Sequence, residues 1–350
     1  MTGQLPDHYQ QLRLRSRPDG LVTDTDVELT TSPMPEIDDG QALGQVLALG
    51  MDAATRSWLQ ESDGYLPAVE IGDVVRGAGV ARVVASRHPD YEVGSIISCL
   101  TGWQEWLVIE PAVFPTVWAP DMDPLANLAI HGGPGAVAYI GLLEVADIAE
   151  TDTVVVSAAA GATGVLAGQI AKIHGCRTVG IAGRDDKCTW LVDEVGFDVA
   201  INRRTADLNA ELKQACPGGV DVYFDSVGGE ILDVVLRRLA IGGRIALCGA
   251  ISSYLDEHRP PGPANYQNLI GRRGRMQGFL MMDYIDRMHE ISAVLDGWVG
   301  DGRLTSHCDV RHGLQACPEA LNALFTGANR GKSVVTLVDG LDDSSAGGLT

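Results

Sequence analysis

The stretch Thr153-Val154-Val155-Val156-Ser157-Ala158-Ala159-Ala160-Gly161-Ala162-Thr163-Gly164-Val165-Leu166-Ala167-Gly168-Gln169-Ile170-Ala171-Lys172 decides how the rest of the chain is read. Its opening β-branched run, Thr153 to Val156, has the pattern of a strand covered on both faces in a parallel sheet, and from Val165 the apolar period becomes helical. Between them the small residues fall as Ala159-x-Gly161-x-x-Gly164, a dinucleotide fingerprint with alanine in first place. Position 159 makes the turn, Gly161 lets the backbone approach a pyrophosphate, and Gly164 with Gly168 lets the helix lie close on the sheet. The helix N-terminus, at Ala162 and Thr163, brings free N–H groups and a positive dipole to the anion. Helix–strand packing alone also selects such glycines. What carries the nucleotide reading is the flanking strand and helix together with the βα units that follow.

A chain of 350 residues has length for two domains, each with its own core. The formal net charge of −20 argues against nucleic acid or an anionic membrane as partner, since either asks for a basic surface. The seven cysteines are odd in number and scattered, without a C-x-x-C pair. With no signal-peptide pattern at the start and no apolar run of spanning length, the expectation is a cytoplasmic chain with reduced, mostly buried thiols.

Taken in order, residues 1–9 are polar and expected to be mobile. Short strands then follow at Gln10–Leu14, Val27–Thr31, Leu43–Leu49, Val74–Ala85, Gly94–Leu100 and Trp106–Ile109, separated by turn-rich segments, a spacing that predicts a compact β domain. Gly77 and Gly79 within one of these strands mark a bulge, a close approach to the backbone or a barrel corner. From about Leu125 the pattern alternates between helix and strand. Tyr139–Val145 reads as helix. After the fingerprint come strands at Thr178–Ala182, Val199–Ile201, Val220–Phe224 and Arg244–Leu247, with helices at Lys187–Val195, Ala206–Ala215 and Ile231–Leu239 between them. Repeated βα units of this length predict a doubly wound parallel sheet, a Rossmann domain in the α/β class. Beyond a Pro-rich loop, Arg259 to Pro263, the pattern gives a strand at Met276–Phe279 and a long helix at Tyr284–Val299. Thr305–Val338 reads as strand, helix, strand returning to the β domain, and the polar end, Asp339–Thr350, as a disordered tail.

Several segments together carry a family resemblance. These are Gly135-Ala136-Val137-Ala138-Tyr139-Ile140-Gly141-Leu142-Leu143-Glu144, the fingerprint, Phe224-Asp225-Ser226-Val227-Gly228-Gly229-Glu230 and Cys248-Gly249-Ala250-Ile251-Ser252-Ser253-Tyr254. With Ser16-Arg17-Pro18, His88-Pro89-Asp90-Tyr91, Thr101-Gly102-Trp103-Gln104-Glu105-Trp106 and Asn329-x-Gly331-Lys332, they resemble the zinc-independent branch of the medium-chain dehydrogenase/reductase superfamily. That branch holds prostaglandin reductase (leukotriene B4 12-hydroxydehydrogenase), alkenal double-bond reductase and curcumin reductase. The resemblance runs from about residue 10 to 338. It implies a GroES-like β-rich catalytic domain at 1–126 and 308–340, a Rossmann domain at 127–307 and a tail at 341–350. It also implies a homodimer, NADPH as cofactor, and reduction of the carbon–carbon double bond of α,β-unsaturated ketones or aldehydes. Zinc-dependent relatives carry a ligand histidine with an acidic neighbour near the Gly77–Gly79 strand and four close cysteines, and neither pattern is present; no metal is expected. Hydride addition to an enone then needs an aligned nicotinamide and a donor for the developing enolate oxygen.

The resemblance places Tyr254 over the substrate carbonyl, where a phenol stabilises enolate charge; a loop tyrosine packing its ring is the plainer alternative. Tyr139 stands in the family's Ala-Tyr-Phe-Gly position, with Ile140 for the phenylalanine, either touching cofactor or substrate or packing its helix. For the cofactor, NAD enzymes hold the ribose with a carboxylate at the end of the second strand, whereas here Ala182-Gly183-Arg184-Asp185-Asp186-Lys187 closes it. Gly183 clears space, Lys187 matches the family's phosphate-binding lysine and Arg203 takes the place of a tyrosine lining the adenosine phosphate. With Arg184 they form either a 2′-phosphate site or a solvated basic rim. Two charge-assisted bonds of roughly 1.5–3 kcal/mol each would favour NADP over NAD by about 10²- to 10⁴-fold. Ser226, Cys248, Ala250, Ile251 and Asn329 fall in motifs that the family uses to bind the cofactor. Ala54, Arg56 and Ala78 fall in the family's substrate pocket. Ala54 and Ala78 replace bulkier residues and Ser226 replaces asparagine, which implies a wider, less aromatic pocket. Two other readings stand beside the enone reductase: a quinone reductase of the same superfamily and a nucleotide-binding protein without catalysis.

Overall fold

The computed structural model describes residues 5–61, 66–256 and 260–341, so the expected disordered tail from 342 and the first four residues of the expected mobile start lie outside the described part. Among the residues of that start, His8 and Tyr9 are already in a strand. In chain order the first strands are β1 (His8–Leu14), β2 (Val27–Pro33), β3 (Ala42–Gly50), β4 (Ala78–Ser86), β5 (Ile96–Cys99), β6 (Trp106–Ile109) and β7 (Thr116–Trp118), with helix α1 (Ala53–Trp58) after β3. Helices α2 (Pro124–Ala126) and α3 (Pro134–Tyr139) lead into an alternating series: β8 (Thr153–Val156), α4 (Ala162–Ile173), β9 (Arg177–Ala182), α5 (Asp185–Trp190), β10 (Val199–Asn202) and α6 (Leu208–Ala215). It continues with β11 (Val220–Asp225), α7 (Gly229–Arg238), β12 (Leu239–Leu247), α8 (Asn268–Arg272), β13 (Arg275–Gly278) and α9 (Met288–Gly300). Last come β14 (Cys308–His312), α10 (Cys317–Thr326) and β15 (Lys332–Thr336).

The chain divides into two units, residues 1–132 with 308–328 and 332–350, and residues 133–307 with 329–331. The division falls after Gly132 rather than at 126, and the short segment Asn329–Gly331 belongs to the second unit. In the first unit, β14-β15-β3-β4-β5-β7 form one sheet with β6 added on β3, and β1 and β2 form a hairpin. Its core gathers Leu14, Leu49, Leu59, Ile97, Trp103, Ile109 and Leu321. The expected strand from Val74 is corrected here. Val75 donates to Leu12 O at 3.0 Å, and β4 starts only at Ala78. Gly77 and Gly79 are sites of close approach: a Cβ on Gly77 would stand 2.8 Å from Trp103 Nε1, and one on Gly79 2.3 Å from Thr101 Oγ1.

The second unit is the predicted parallel sheet. Its strand order, β10-β9-β8-β11-β12-β13, reverses direction of addition between β8 and β11, so the carboxyl ends of those two strands open a crevice. Val154, Val155 and Val156 are fully buried, as a strand covered on both faces requires. Gly168 lets α4 settle against the sheet, since a Cβ there would lie 2.0 Å from Phe197 Cζ. The expected helix at 284–299 begins as a 3-10 turn over Met281–Arg287, with Tyr284 off helical angles (φ −114°, ψ 17°), and becomes α-helical only at Met288. One expectation about apolar runs also changes: the helical stretch Pro124–Val145, 22 residues at mean hydropathy 1.3, is long and apolar enough to cross a bilayer, but 67% of its most apolar window is buried inside the protein.

Candidate active site and cofactor loops

The loops at the carboxyl ends of β8, β9, β11 and β12 are tied to one another by main-chain and side-chain bonds. After β8 the chain turns sharply, and Ala158 takes a left-handed φ of 46°. Ala159 N donates to Ile181 O at 3.1 Å, which fastens the turn to the neighbouring strand. A Cβ on Gly164 would stand 2.4 Å from Ala158 O, so only glycine lets the first turn of α4 come this close. Gly161 caps α4 in an extended conformation without any side-chain bond, which leaves the first-turn amides, at Ala162 and Thr163, to an anion.

Asp225, at the end of β11, is the fixed point of the next two loops. The carboxylate is fully buried, and its Oδ1 accepts from Ser157 Oγ (3.0 Å), Tyr223 Oη (2.9 Å), Val227 N (2.9 Å) and Gly228 N (2.9 Å). Burial raises its pKa, against the pull of these donors. Its main-chain oxygen takes Cys248 N and Gly249 N, while Ser226 O takes Ile251 N and Val227 O takes Ser252 N. The loop after β12 is therefore hung on the loop after β11. Cys248 lies beside the Ser226 hydroxyl, and burial pushes its thiol up to about 11.

Tyr254 follows a 3-10 turn over Ile251–Ser253. Ala250 N donates to its Oη at 3.1 Å, which leaves the phenol hydrogen for another acceptor. Burial raises its pKa, so the phenol stays protonated at neutral pH. Tyr139 stands elsewhere, on α3, with its ring 6.1 Å from that of Trp298 on α9 and with Glu144 and Glu290 adding to the rise in its pKa that burial begins. The Trp298 contact is what the packing reading of Tyr139 expects.

After β9, Lys187 is 6% exposed and its ammonium donates to Asn329 O. Asn329 Nδ2 donates to Gly331 O at 2.9 Å, and Gly331 N to Ala160 O at 2.9 Å, so this segment lies along the fingerprint turn. Arg203 is exposed on the loop after β10, its amide on Ala182 O. Three charged side chains in this region carry a part that sequence reasoning missed. Arg204 lies beside the notch, with Nε 3.4 Å from where a Gly183 Cβ would stand. Asp186 is held by Arg184 and by Arg330. The available signal was a basic residue at each variable position beside a motif, Arg204 after Arg203 and Arg330 within Asn329-x-Gly331.

Three expected pocket residues belong to the first unit. Arg56 is 2% exposed and donates through Nε to Gly20 O (2.8 Å) and through Nη2 to Pro18 O (2.9 Å), pinning the 18–20 turn to α1. Ala54 packs against the core of that unit, and Ala78 is half-buried at the start of β4. Among the described residues no three His, Cys, Asp or Glu side chains converge as a metal site.

Residues 10–117 match the family model described as the N-terminal domain of oxidoreductase, and residues 162–296 that described as zinc-binding dehydrogenase. The chain is 35% identical over 338 residues to the NADPH-dependent curcumin reductase of Escherichia coli, covering 95% of this chain and 98% of that protein. With the NADP(+)-dependent 2-alkenal reductase of Nicotiana tabacum it shares 39% over 292 residues, 83% of this chain and 85% of that one. The crystal structure of CurA in complex with NADPH from Vibrio vulnificus superposes with a TM-score of 0.89 at 36% identity, over 94% of this chain and 99% of that one.

Proposed function

Because the chain belongs to the zinc-independent medium-chain dehydrogenase/reductase family, we propose that it is an NADPH-dependent reductase of the carbon–carbon double bond of α,β-unsaturated ketones and aldehydes. The observation that carries this reading is the site itself. A fingerprint turn that a Cβ would fill lies next to a basic loop rather than a bare carboxylate, and a protonated phenol hangs on the loop after β12. The residues fit a dinucleotide with a ribose 2′-phosphate. The first turn of α4 faces the pyrophosphate, and Gly183, Arg184, Lys187 and Arg203 receive the adenosine phosphate. Ser226, Cys248, Ala250, Ile251 and Asn329 line the rest of the cofactor path.

Bound NADPH supplies the hydride that adds to the β-carbon of the enone. Tyr254 donates its hydroxyl hydrogen to the carbonyl oxygen, and the negative charge that gathers there during addition strengthens that bond. The Ala250 amide on the phenol oxygen supports the donation by drawing charge from it. The hydride's electron pair becomes the new C–H bond at the β-carbon, the π pair of the double bond shifts toward the carbonyl carbon to give an enolate, and the enolate takes a proton from water at the α-carbon to give the saturated carbonyl compound. Ala54, Arg56 and Ala78, in the first unit, are the positions that the family resemblance assigns to the substrate pocket, and Arg56 holds the 18–20 turn there. Incubation with NADPH and a simple enone, followed by mass analysis of the product, tests the reading; a gain of two hydrogens at the double bond is expected.

The protein acts as a homodimer in this reading. Support comes from β13, the last strand in the sheet order, with exposed apolar residues near it: Ile270 (78% exposed) and Ile285 (62%). Sedimentation equilibrium checks the mass.

A further inference from the structure

The loop after β9 places two carboxylates, Asp185 and Asp186, beside the Gly183 notch. A bare carboxylate at this point repels a phosphate and suits the ribose hydroxyls of NAD. Each is occupied in a different way. Asp185 Oδ1 accepts from Asn202 Nδ2 at 2.7 Å. Asp186 is gripped by two guanidinium groups: Arg184 is bidentate, Nε to Oδ1 at 2.8 Å and Nη2 to Oδ2 at 3.0 Å, and Arg330 Nη2 reaches Oδ2 at 2.7 Å. The two arginines hold the Asp186 carboxyl down at about 2, so its charge is constant at any pH where the protein works.

Arg330 arrives from a distant part of the sequence and is fixed there on three sides. The neighbouring Asn329 O accepts from Lys187, and Gly331 N donates to Ala160 O at 2.9 Å. Its guanidinium also lies over the Trp190 ring, 5.9 Å from the centroid. Arg184 and Arg330 share the one Asp186 carboxylate, so the trio gathers two guanidinium groups beside the Gly183 notch in a chain of net charge −20.

We propose that Arg330 is a determinant of selectivity for the ribose 2′-phosphate, and that Asp186 is the counter-carboxylate that orients its fork and limits the affinity. This rests on the NADPH reading. A phosphomonoester dianion offers the same planar acceptor pairs that Asp186 offers now, and a guanidinium already held in place loses little freedom in turning to it.

Calorimetric titration of the full chain with 2′-phospho-ADP-ribose and with ADP-ribose, which differ only in that phosphate, tests the inference without turnover. Arg330→Gln is expected to weaken the phosphorylated ligand roughly five- to thirtyfold and to leave ADP-ribose unchanged. Asp186→Asn is expected to tighten the phosphorylated ligand severalfold, and the double variant to return toward wild type. Equal loss for both ligands in Arg330→Gln would assign Arg330 to docking of its segment and overturn the proposal, as would weaker phosphorylated-ligand binding in Asp186→Asn. A wild-type chain that binds both ligands equally would instead refute the NADPH reading, and the proposal with it.

Discussion

The Ala250 amide donates to the Tyr254 hydroxyl at 3.1 Å across a single turn, so the phenol oxygen is held from its own loop and its hydrogen is left to donate. Tyr254→Phe is therefore expected to slow hydride transfer by up to about 10²-fold, the weight of one oxyanion donor, with NADPH affinity nearly unchanged. Single-turnover decay of NADPH absorbance with a simple enone measures it. A rate within twofold of wild type, with Tyr139→Phe strongly impaired, would move the electrophilic role to Tyr139.

Lys187 and Arg203 both follow Gly183 in the sequence, and the buried Lys187 ammonium rests on Asn329 O. The double variant Lys187→Ala, Arg203→Ala is expected to lose most of the preference for NADPH over NADH, by calorimetric titration of both cofactors. Unchanged NADPH binding would remove these residues from the cofactor site.

Gly168 has no room for a side chain: a Cβ would stand 2.0 Å from Phe197 Cζ, and Phe197 is in the core. Gly168→Ala is expected to destabilise the second unit by about 1–3 kcal/mol, the usual result of overpacking. Thermal unfolding followed by circular dichroism reads the loss, and an unchanged transition would mean that α4 shifts freely on the sheet.

Burial raises the Asp225 carboxyl above its ordinary value, so the native state holds that proton to higher pH than the unfolded chain does. Its contribution to stability is fully present below the unfolded pKa and is lost as pH rises through the folded one. Asp225→Asn keeps an Oδ1 acceptor and does not titrate. Relative to this variant, the wild type is expected to lose stability as pH rises from about 4, read as the difference in melting temperature across a pH series. A difference that moves the other way would show that the ionised form is the one the four donors stabilise most.

The parallel sheet was legible where its strands are short β-branched runs, and Thr153–Val156 agrees residue for residue with β8. The β domain was less so. The strand read from Val74 begins at Ala78 because Val75 bonds to Leu12 across the sequence, and α1 and β7 were not read at all, being six and three residues long. At the site, the turn glycines could be read from their spacing, since close approach demands them locally. The grip of Arg330 on Asp186 joins residues 144 positions apart, and the Asp225 network joins Ser157 to a loop 68 positions away. Contacts of that range leave no periodic trace in a sequence.

Hydride is expected to pass from NADPH to the β-carbon of a conjugated carbonyl compound. Reaction of the protein with 4-deuterated NADPH and an α,β-unsaturated ketone, followed by NMR of the product, tests it most directly. A saturated ketone with deuterium at the β-carbon is expected. Deuterium on the carbonyl carbon of an allylic alcohol, or turnover of quinones with the enone returned unchanged, would contradict it.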